Sequence, residues 1–170
     1  MQNIELKAKY ENLESAENIA RKIGAEFSAT LRQIDTYFRV KTGRLKCREI
    51  NSSECQLIFY TRPDEAVPKL SDYRIYPVDD PAAMKDILES ALGSWCVVEK
   101  RRKLYLYDEV RIHLDSVTKL GDFIEFEGVL TPNVDKRATR EKVNWLISQF
   151  HISPSDFVDR SYSDMMSDFP

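Results

Sequence analysis

Apolar and polar residues alternate along most of this chain. Asn3, Glu5, Lys7 and Lys9 interleave with Ile4, Leu6 and Ala8, and in a strand residues i, i+2 and i+4 share one face. The same period of two recurs with turn signals at Thr42-Gly43, Asn51-Ser52-Ser53, Pro63-Asp64, Pro77 and Thr131-Pro132. It predicts about eight strands, near 3–9, 34–40, 44–50, 56–62, 69–77, 96–106, 109–117 and 122–130. Three stretches instead follow a period of 3.6. Leu13, Ala16, Ile19, Ala20 and Ile23 make one stripe, with Asn12 to cap it and Gly24 to end it. Asp80 and Pro81 open a second, carrying Met84, Ile87, Leu88, Ala91 and Leu92 up to Gly93. A third, from about 135 to 150, places Val143, Leu146, Ile147 and Phe150 on one side, which predicts a helix lying on the sheet as a lid. Many strands with helices after the first and midway argue for an α+β fold rather than a parallel βαβ sheet.

The chain has 170 residues, the size of one domain, and no internal repeat, so a single domain over 1–170 is expected. Apolar residues at 42% and charged residues at 31% suit a packed core and argue against disorder. A net charge of −3, from 25 basic and 28 acidic side chains, gives no global field to attract nucleic acid or an anionic membrane. The sequence lacks a membrane-length apolar run and a signal-like start, so a cytoplasmic protein is expected. Cys47, Cys55 and Cys96 fall in no metal-ligand spacing and read as reduced, buried small apolar residues. With His113 and His151 the only histidines, zinc chemistry and a Cys-His nucleophile pair are poorly supported.

The polar faces of the strands carry the candidate chemistry. Arg44, Lys46 and Arg48 share a face, as do Lys100 and Arg102, then Arg111, His113 and Asp115, then Glu125 and Glu127. Turned inward in a closed barrel, the cations would hold anionic oxygens and the carboxylates a hard metal ion. Turned outward, they would be only a solvated sheet face, and alternation alone leaves both readings open.

Several of these segments resemble one family. Asn3-Ile4-Glu5-Leu6-Lys7 is similar to the ExExK signature of CYTH, or triphosphate tunnel, proteins. The resemblance continues in order through 33–38, 43–49, 58–63, 100–102, 111–117 and 120–127 to Ser161-Tyr162-Ser163-Asp164. It implies a closed or nearly closed eight-stranded antiparallel barrel with flanking helices, binding a triphosphate-containing small molecule together with Mg2+ or Mn2+. Carried over by position, it implies Glu5, Asp115, Glu125 and Glu127 on the metal side. Lys7, Lys46, Arg48, Arg62, Lys100, Arg102 and Arg111 become the phosphate-binding set, with Glu5, Lys7, Glu125 and Glu127 nearest the chemistry. His113, Tyr37 and Tyr60 are secondary candidates.

The resemblance leans towards the class IV adenylyl cyclase-like branch, which converts ATP to cyclic AMP and pyrophosphate. A triphosphatase acting on inorganic, nucleoside or thiamine triphosphate, and a non-catalytic triphosphate or polyphosphate sensor, are the alternatives. Two positions depart from the family pattern. Asn3 replaces the first signature glutamate, and Leu70 stands where the family often has Arg.

Overall fold

The computed structural model describes residues 1–167. The strands are β1 (Gln2–Lys9), β2 (Glu26–Phe38), β3 (Arg44–Ile50), β4 (Glu54–Thr61), β5 (Lys69–Pro77), β6 (Ser94–Tyr107), β7 (Val110–Val117) and β8 (Gly121–Leu130). They close into an antiparallel barrel in the order β1-β5-β4-β3-β2-β6-β7-β8. Closure removes both sheet edges, so every strand satisfies its backbone hydrogen bonds on two sides. Four helices lie along it: α1 (Leu13–Lys22), α2 (Pro81–Leu92), α3 (Lys136–Gln149) and α4 (Tyr162–Met166). Among the described residues no helix is long and apolar enough to cross a membrane.

Alternation sorts the apolar residues outward on one wall. Ile4, Leu6 and Ala8 of β1, Ile112 and Leu114 of β7, and Ile124 and Phe126 of β8 form the main core with Ala16 and Ala20 of α1 and Val143, Leu146 and Phe150. Each large side chain buried there contributes about 1.5–3 kcal/mol, and Phe126 meets Phe150 edge-on at 5.3 Å. The helix starts follow from their caps. Asn12 accepts from the Ser15 amide at 2.9 Å, Asp80 from Ala83 at 3.0 Å and Asp135 from Arg137 at 2.9 Å. Gly128 of β8 lets α3 approach closely, since a Cβ there would lie 2.3 Å from the Thr139 methyl.

Three elements differ from the sequence expectation. β2 begins eight residues before 34: Phe27, Ala29 and Leu31 alternate there with Glu26, Ser28, Thr30 and Arg32, and pairing to the long β6 holds them extended although none of them is fully buried. The stripe of α2 is only half used. Met84 and Leu88 pack over Phe38, Cys47, Cys55 and Val78, whereas Ile87 is 62% exposed. Cys47 and Cys55 are buried and free as expected, but Cys96 is only partly buried.

The C-terminal segment closes one end of the barrel. Phe157 bridges Ala8, and the Val158 amide donates to the Lys7 carbonyl at 2.9 Å. Tyr162 then packs with Tyr37, Tyr60, Val98, Val117 and Phe123 across that end. The other end, where β1 starts, is open: Ile75 is 38% exposed there and the Arg111 side chain 45%.

Candidate functional site

The barrel encloses a cavity of about 400 Å³, within the roughly 300–1,000 Å³ usual for small-molecule sites. Closure turns the charged faces of β1, β3, β6, β7 and β8 into its lining, which includes Glu5, Lys7, Lys46, Arg48, Arg62, Lys100, Arg102, Arg111, Glu125 and Glu127. The inward alternative is therefore the one the fold adopts. A larger groove of about 710 Å³ lies outside the barrel beside α1. Its charges are of mixed sign and Lys103 is already paired with Glu17, so it lacks the interior's concentration of buried cations.

Two buried carboxylates organise those cations. Asp35 Oδ1 accepts from Arg48 Nε at 2.6 Å, and its Oδ2 accepts from Arg48 at 2.7 Å and from Lys46 Nζ at 2.9 Å, with Lys100 Nζ at 3.7 Å. Burial alone would raise the Asp35 pKa, but Arg48, Lys46 and Lys100 together hold it well below the carboxylate range. Asp115 takes a two-point contact from Arg102, both at 2.6 Å, and the Tyr162 hydroxyl at 2.9 Å. Its burial is likewise outweighed by Arg102 and Lys100, leaving the pKa at about 2. Asp115, expected on the metal side, has both oxygens engaged, by Arg102 and by Tyr162.

Cations still outweigh this compensation. Burial, with Arg48 beside it, pushes Lys46 down to about 8. Lys100 lies well below the ordinary lysine value through burial and the neighbouring Arg102 and Arg48. Lys7 is lowered by burial, and its Nζ sits 4.0 Å from the centre of the Tyr162 ring. Crowded, desolvated cations of this kind favour a polyanion that would restore their charged state.

The carboxylates gather on β1 and β8. Glu5 pairs across the strands with Glu127, and Lys7 with Glu125. Glu5 is raised above the ordinary glutamate value by burial and by the nearby Glu125; its Oε1 meets Arg62 Nε at 3.2 Å. For Glu125 burial is outweighed by Lys7, His113 and Arg102, so it stays well below. His113 bridges the pair, 3.6 Å from Glu125 and 3.7 Å from Glu127. Asn3 Nδ2 donates to Glu127 Oε1 at 2.5 Å. Each carboxylate thus faces a protein partner, and among the described residues no three metal-ligating groups converge. The donor set nonetheless fits a hard cation: three carboxylates on adjacent strands, plus a buried Asn3 Oδ1 with no hydrogen-bond partner.

Among the described residues, the buried side-chain atoms without a partner are Asn3 Oδ1, Gln33 Oε1 and His113 Nδ1, and all three residues line this cavity. An unsatisfied buried polar group costs about 1–3 kcal/mol, so their collection in one place marks a site completed by something else.

Some of the expected residues stand apart, and some contributors were not foreseen. Arg111 lies at the open mouth, 3.4 Å from Glu127. Arg44 turns away to Asp64 and Asp164, at 2.9 and 2.7 Å. Asp35, Gln33 and Tyr162 were not among the expected site residues; the shared parity of Gln33, Asp35 and Tyr37 was the available signal for the first two. Leu70 faces away from the interior, but Lys69 beside it is buried and donates to the Glu65 and Asp159 carbonyls at 2.7 and 3.0 Å, tying the C-terminal segment to β5.

Known proteins share this fold. A protein of Pyrococcus horikoshii has the same fold at a TM-score of 0.83 and 25% identity, over 95% of this chain and 98% of its own. A candidate adenylate cyclase from Vibrio parahaemolyticus matches at a TM-score of 0.80 and 20% identity, over 97% of each chain. An adenylyl cyclase candidate from Hippeastrum with a dominant triphosphatase activity matches at 0.65 and 13%, over 96% of this chain and 93% of its own. No match is found among curated proteins. The CYTH domain family model matches residues 1–162, so the chain belongs to the CYTH family, whose members are adenylyl cyclase-like or triphosphatase enzymes.

Proposed function

We propose that this chain is a metal-dependent enzyme that binds a triphosphate in the barrel and catalyses displacement at phosphorus, in the manner of a class IV adenylyl cyclase. The observation that carries the reading is the buried excess of cations around Asp35 and Asp115, facing Glu5, Glu125 and Glu127 across the cavity of the closed barrel. Lys46 and Arg48 of β3 and Lys100 and Arg102 of β6 are oriented by buried carboxylates, so they are positioned before ligand arrives. Such preorganised donors stabilise charge developing on phosphate oxygens without reorganising during the reaction. Glu5, Glu125 and Glu127, with Asn3 Oδ1, would hold Mg2+ or Mn2+, which supplies Lewis acidity and a template for in-line attack. Closure of the Tyr162 end excludes bulk water from the deep part of the cavity.

In the cyclase reaction the ribose 3′-oxygen bonds to the α-phosphorus, the bond to the bridging oxygen breaks, and pyrophosphate leaves. In hydrolysis the oxygen of water bonds to the terminal phosphorus, its bond to the bridging oxygen breaks, and phosphate and the diphosphate remainder are released with the proton lost by water. A second reading, binding without turnover, draws on Asn3, whose amide occupies an oxygen of Glu127 where the family signature has a carboxylate. Incubating the protein with ATP and with tripolyphosphate, each with Mg2+ and with Mn2+, separates these readings. Cyclic AMP from ATP supports the cyclase, and phosphate release alone supports a triphosphatase. Binding with no product from either substrate supports the sensor.

A further inference from the structure

Two thiols stand together on the outer wall of the barrel. Cys47 of β3 pairs across the strands with Leu57, and Cys55 of β4 with Glu49, so the cysteines are diagonal neighbours on one face of the β3–β4 hairpin. Both are buried and free under α2, packed with Phe38, Val78, Met84 and Leu88. Their sulfurs lie 2.9 Å apart, one thiol donating to the other. A disulfide holds its sulfurs at about 2.05 Å, so the bond forms here after a further approach of about 0.9 Å.

The two thiols differ in access. Cys47 is 0% exposed, and burial together with the hydrogen bond to Cys55 pushes its pKa up to about 12. It therefore stays a thiol at neutral pH and reacts slowly by itself. Cys55 keeps 5% exposure and borders a surface cavity of about 340 Å³ with Ser52, Ser53, Val78 and Pro81, at the start of α2. The other face of the same hairpin belongs to the barrel interior. Lys46 and Arg48 flank Cys47 and reach Asp35 at 2.9 and 2.6 Å, and Gln56 follows Cys55 into the cavity lining. Because side chains alternate along a strand, a shift of Cys47 towards β4 carries Lys46 and Arg48 with it.

We propose that Cys47 and Cys55 form a reversible redox site, at which a hydroperoxide joins them in a disulfide and the resulting shift of β3 weakens anion binding inside the barrel. With hydrogen peroxide, the Cys55 sulfur bonds to one peroxide oxygen and the O–O bond breaks. The other oxygen leaves as water with the thiol proton, and Cys55 becomes a sulfenic acid. The Cys47 sulfur then bonds to the Cys55 sulfur, the S–O bond breaks, and a second water carries off the Cys47 proton. Each sulfur gives up one electron overall, and the peroxide is reduced to water. The disulfide rests on the thiol geometry alone; its effect on binding rests also on the triphosphate reading.

The test treats the full chain with hydrogen peroxide, maps its peptides by mass, and measures tripolyphosphate affinity in EDTA by titration calorimetry. The protein is expected to lose two hydrogens and to yield a peptide pair linked through Cys47 and Cys55. The oxidised form binds tripolyphosphate about three- to tenfold more weakly, the response of charge-assisted hydrogen bonds to displaced partners, and dithiothreitol reverses both changes. Cys47→Ala stops at a sulfenic acid on Cys55, which dimedone traps, and keeps its affinity within about twofold after peroxide. Cys55→Ala leaves Cys47 unmodified. A treated protein that keeps both thiols, or links either of them to Cys96, overturns the redox site. A Cys47–Cys55 disulfide with unchanged tripolyphosphate affinity overturns its coupling to the barrel, as does an equal loss of affinity in Cys47→Ala. A reduced protein that binds no tripolyphosphate overturns the triphosphate reading and the coupling with it, while the linked peptides still decide the disulfide.

Discussion

Replacing Asp35 by Asn removes one negative charge from beneath three cations and keeps the shape of the side chain. In the wild type this carboxylate accepts two contacts from Arg48 and one from Lys46, with Lys100 at 3.7 Å. Removing one member of a buried ion pair typically costs about 3–5 kcal/mol because the remaining charge stays buried. Lys46, already pushed down to about 8, can release its proton and relieve part of that penalty, so the lower end of the range is expected at neutral pH. At about 2–4 °C per kcal/mol for a chain of this size, melting should fall by roughly 6–15 °C. Ligand binding should move the other way. With the competing anion gone, tripolyphosphate gains on the order of 1–3 kcal/mol at an effective dielectric of about 20. Thermal melts of both proteins across a tripolyphosphate titration read both effects. A variant that melts with the wild type, or that tripolyphosphate stabilises no more than the wild type, would refute the idea that Asp35 holds the place of a polyanion.

Other consequences are as direct. Binding of tripolyphosphate at pH 8 should take up protons, because Lys46 must be charged to meet phosphate, and affinity should fall as pH rises further. The ligand-free protein gains stability from this lysine over the same interval, since the unfolded chain holds that proton up to the ordinary lysine value and the folded chain does not; calorimetry in buffers of different ionisation enthalpy that shows no proton uptake would rule this out. Asn3→Asp should lower ligand-free stability by about 1.5–3 kcal/mol, by replacing a hydrogen bond to Glu127 with like charge, and should enlarge the melting shift caused by Mn2+; an unchanged Mn2+ shift would remove Asn3 from the metal side. Gly128→Ala should cost about 1–3 kcal/mol by pressing on the Thr139 methyl, and Thr139→Ser should recover most of it in urea denaturation, whereas a neutral Gly128→Ala would show that α3 is loosely seated.

The inward charges were legible because a period of two assigns each strand two faces, and Lys46 with Arg48, or Glu125 with Glu127, declare themselves by spacing. Which face turns inward was not legible from the alternation, because it depends on closure between β1 and β5 and between β1 and β8, contacts that join distant parts of the chain; the resemblance to the CYTH signature alone pointed the charges inward. Asp35 escaped for the same reason. It is a lone carboxylate until β3 and β6 flank β2 and bring Arg48, Lys46 and Lys100 to it. The first half of β2, carrying Leu31, fell outside the expected strand because none of its residues is fully buried and its place is set by pairing to β6. Tyr162 sits in a five-residue helix whose place is set by Phe157 docking on Ala8 and by Lys69, neither of which leaves a periodic trace.

The central claim, that the cations inside the barrel are a binding site for triphosphate, is tested most directly by titration calorimetry of tripolyphosphate into the wild type, Lys46→Ala and Arg48→Ala. Each substitution should weaken binding by about 1.5–3 kcal/mol, the worth of a charge-assisted hydrogen bond. Undetectable binding to the wild type, or equal affinity for all three proteins, would contradict it.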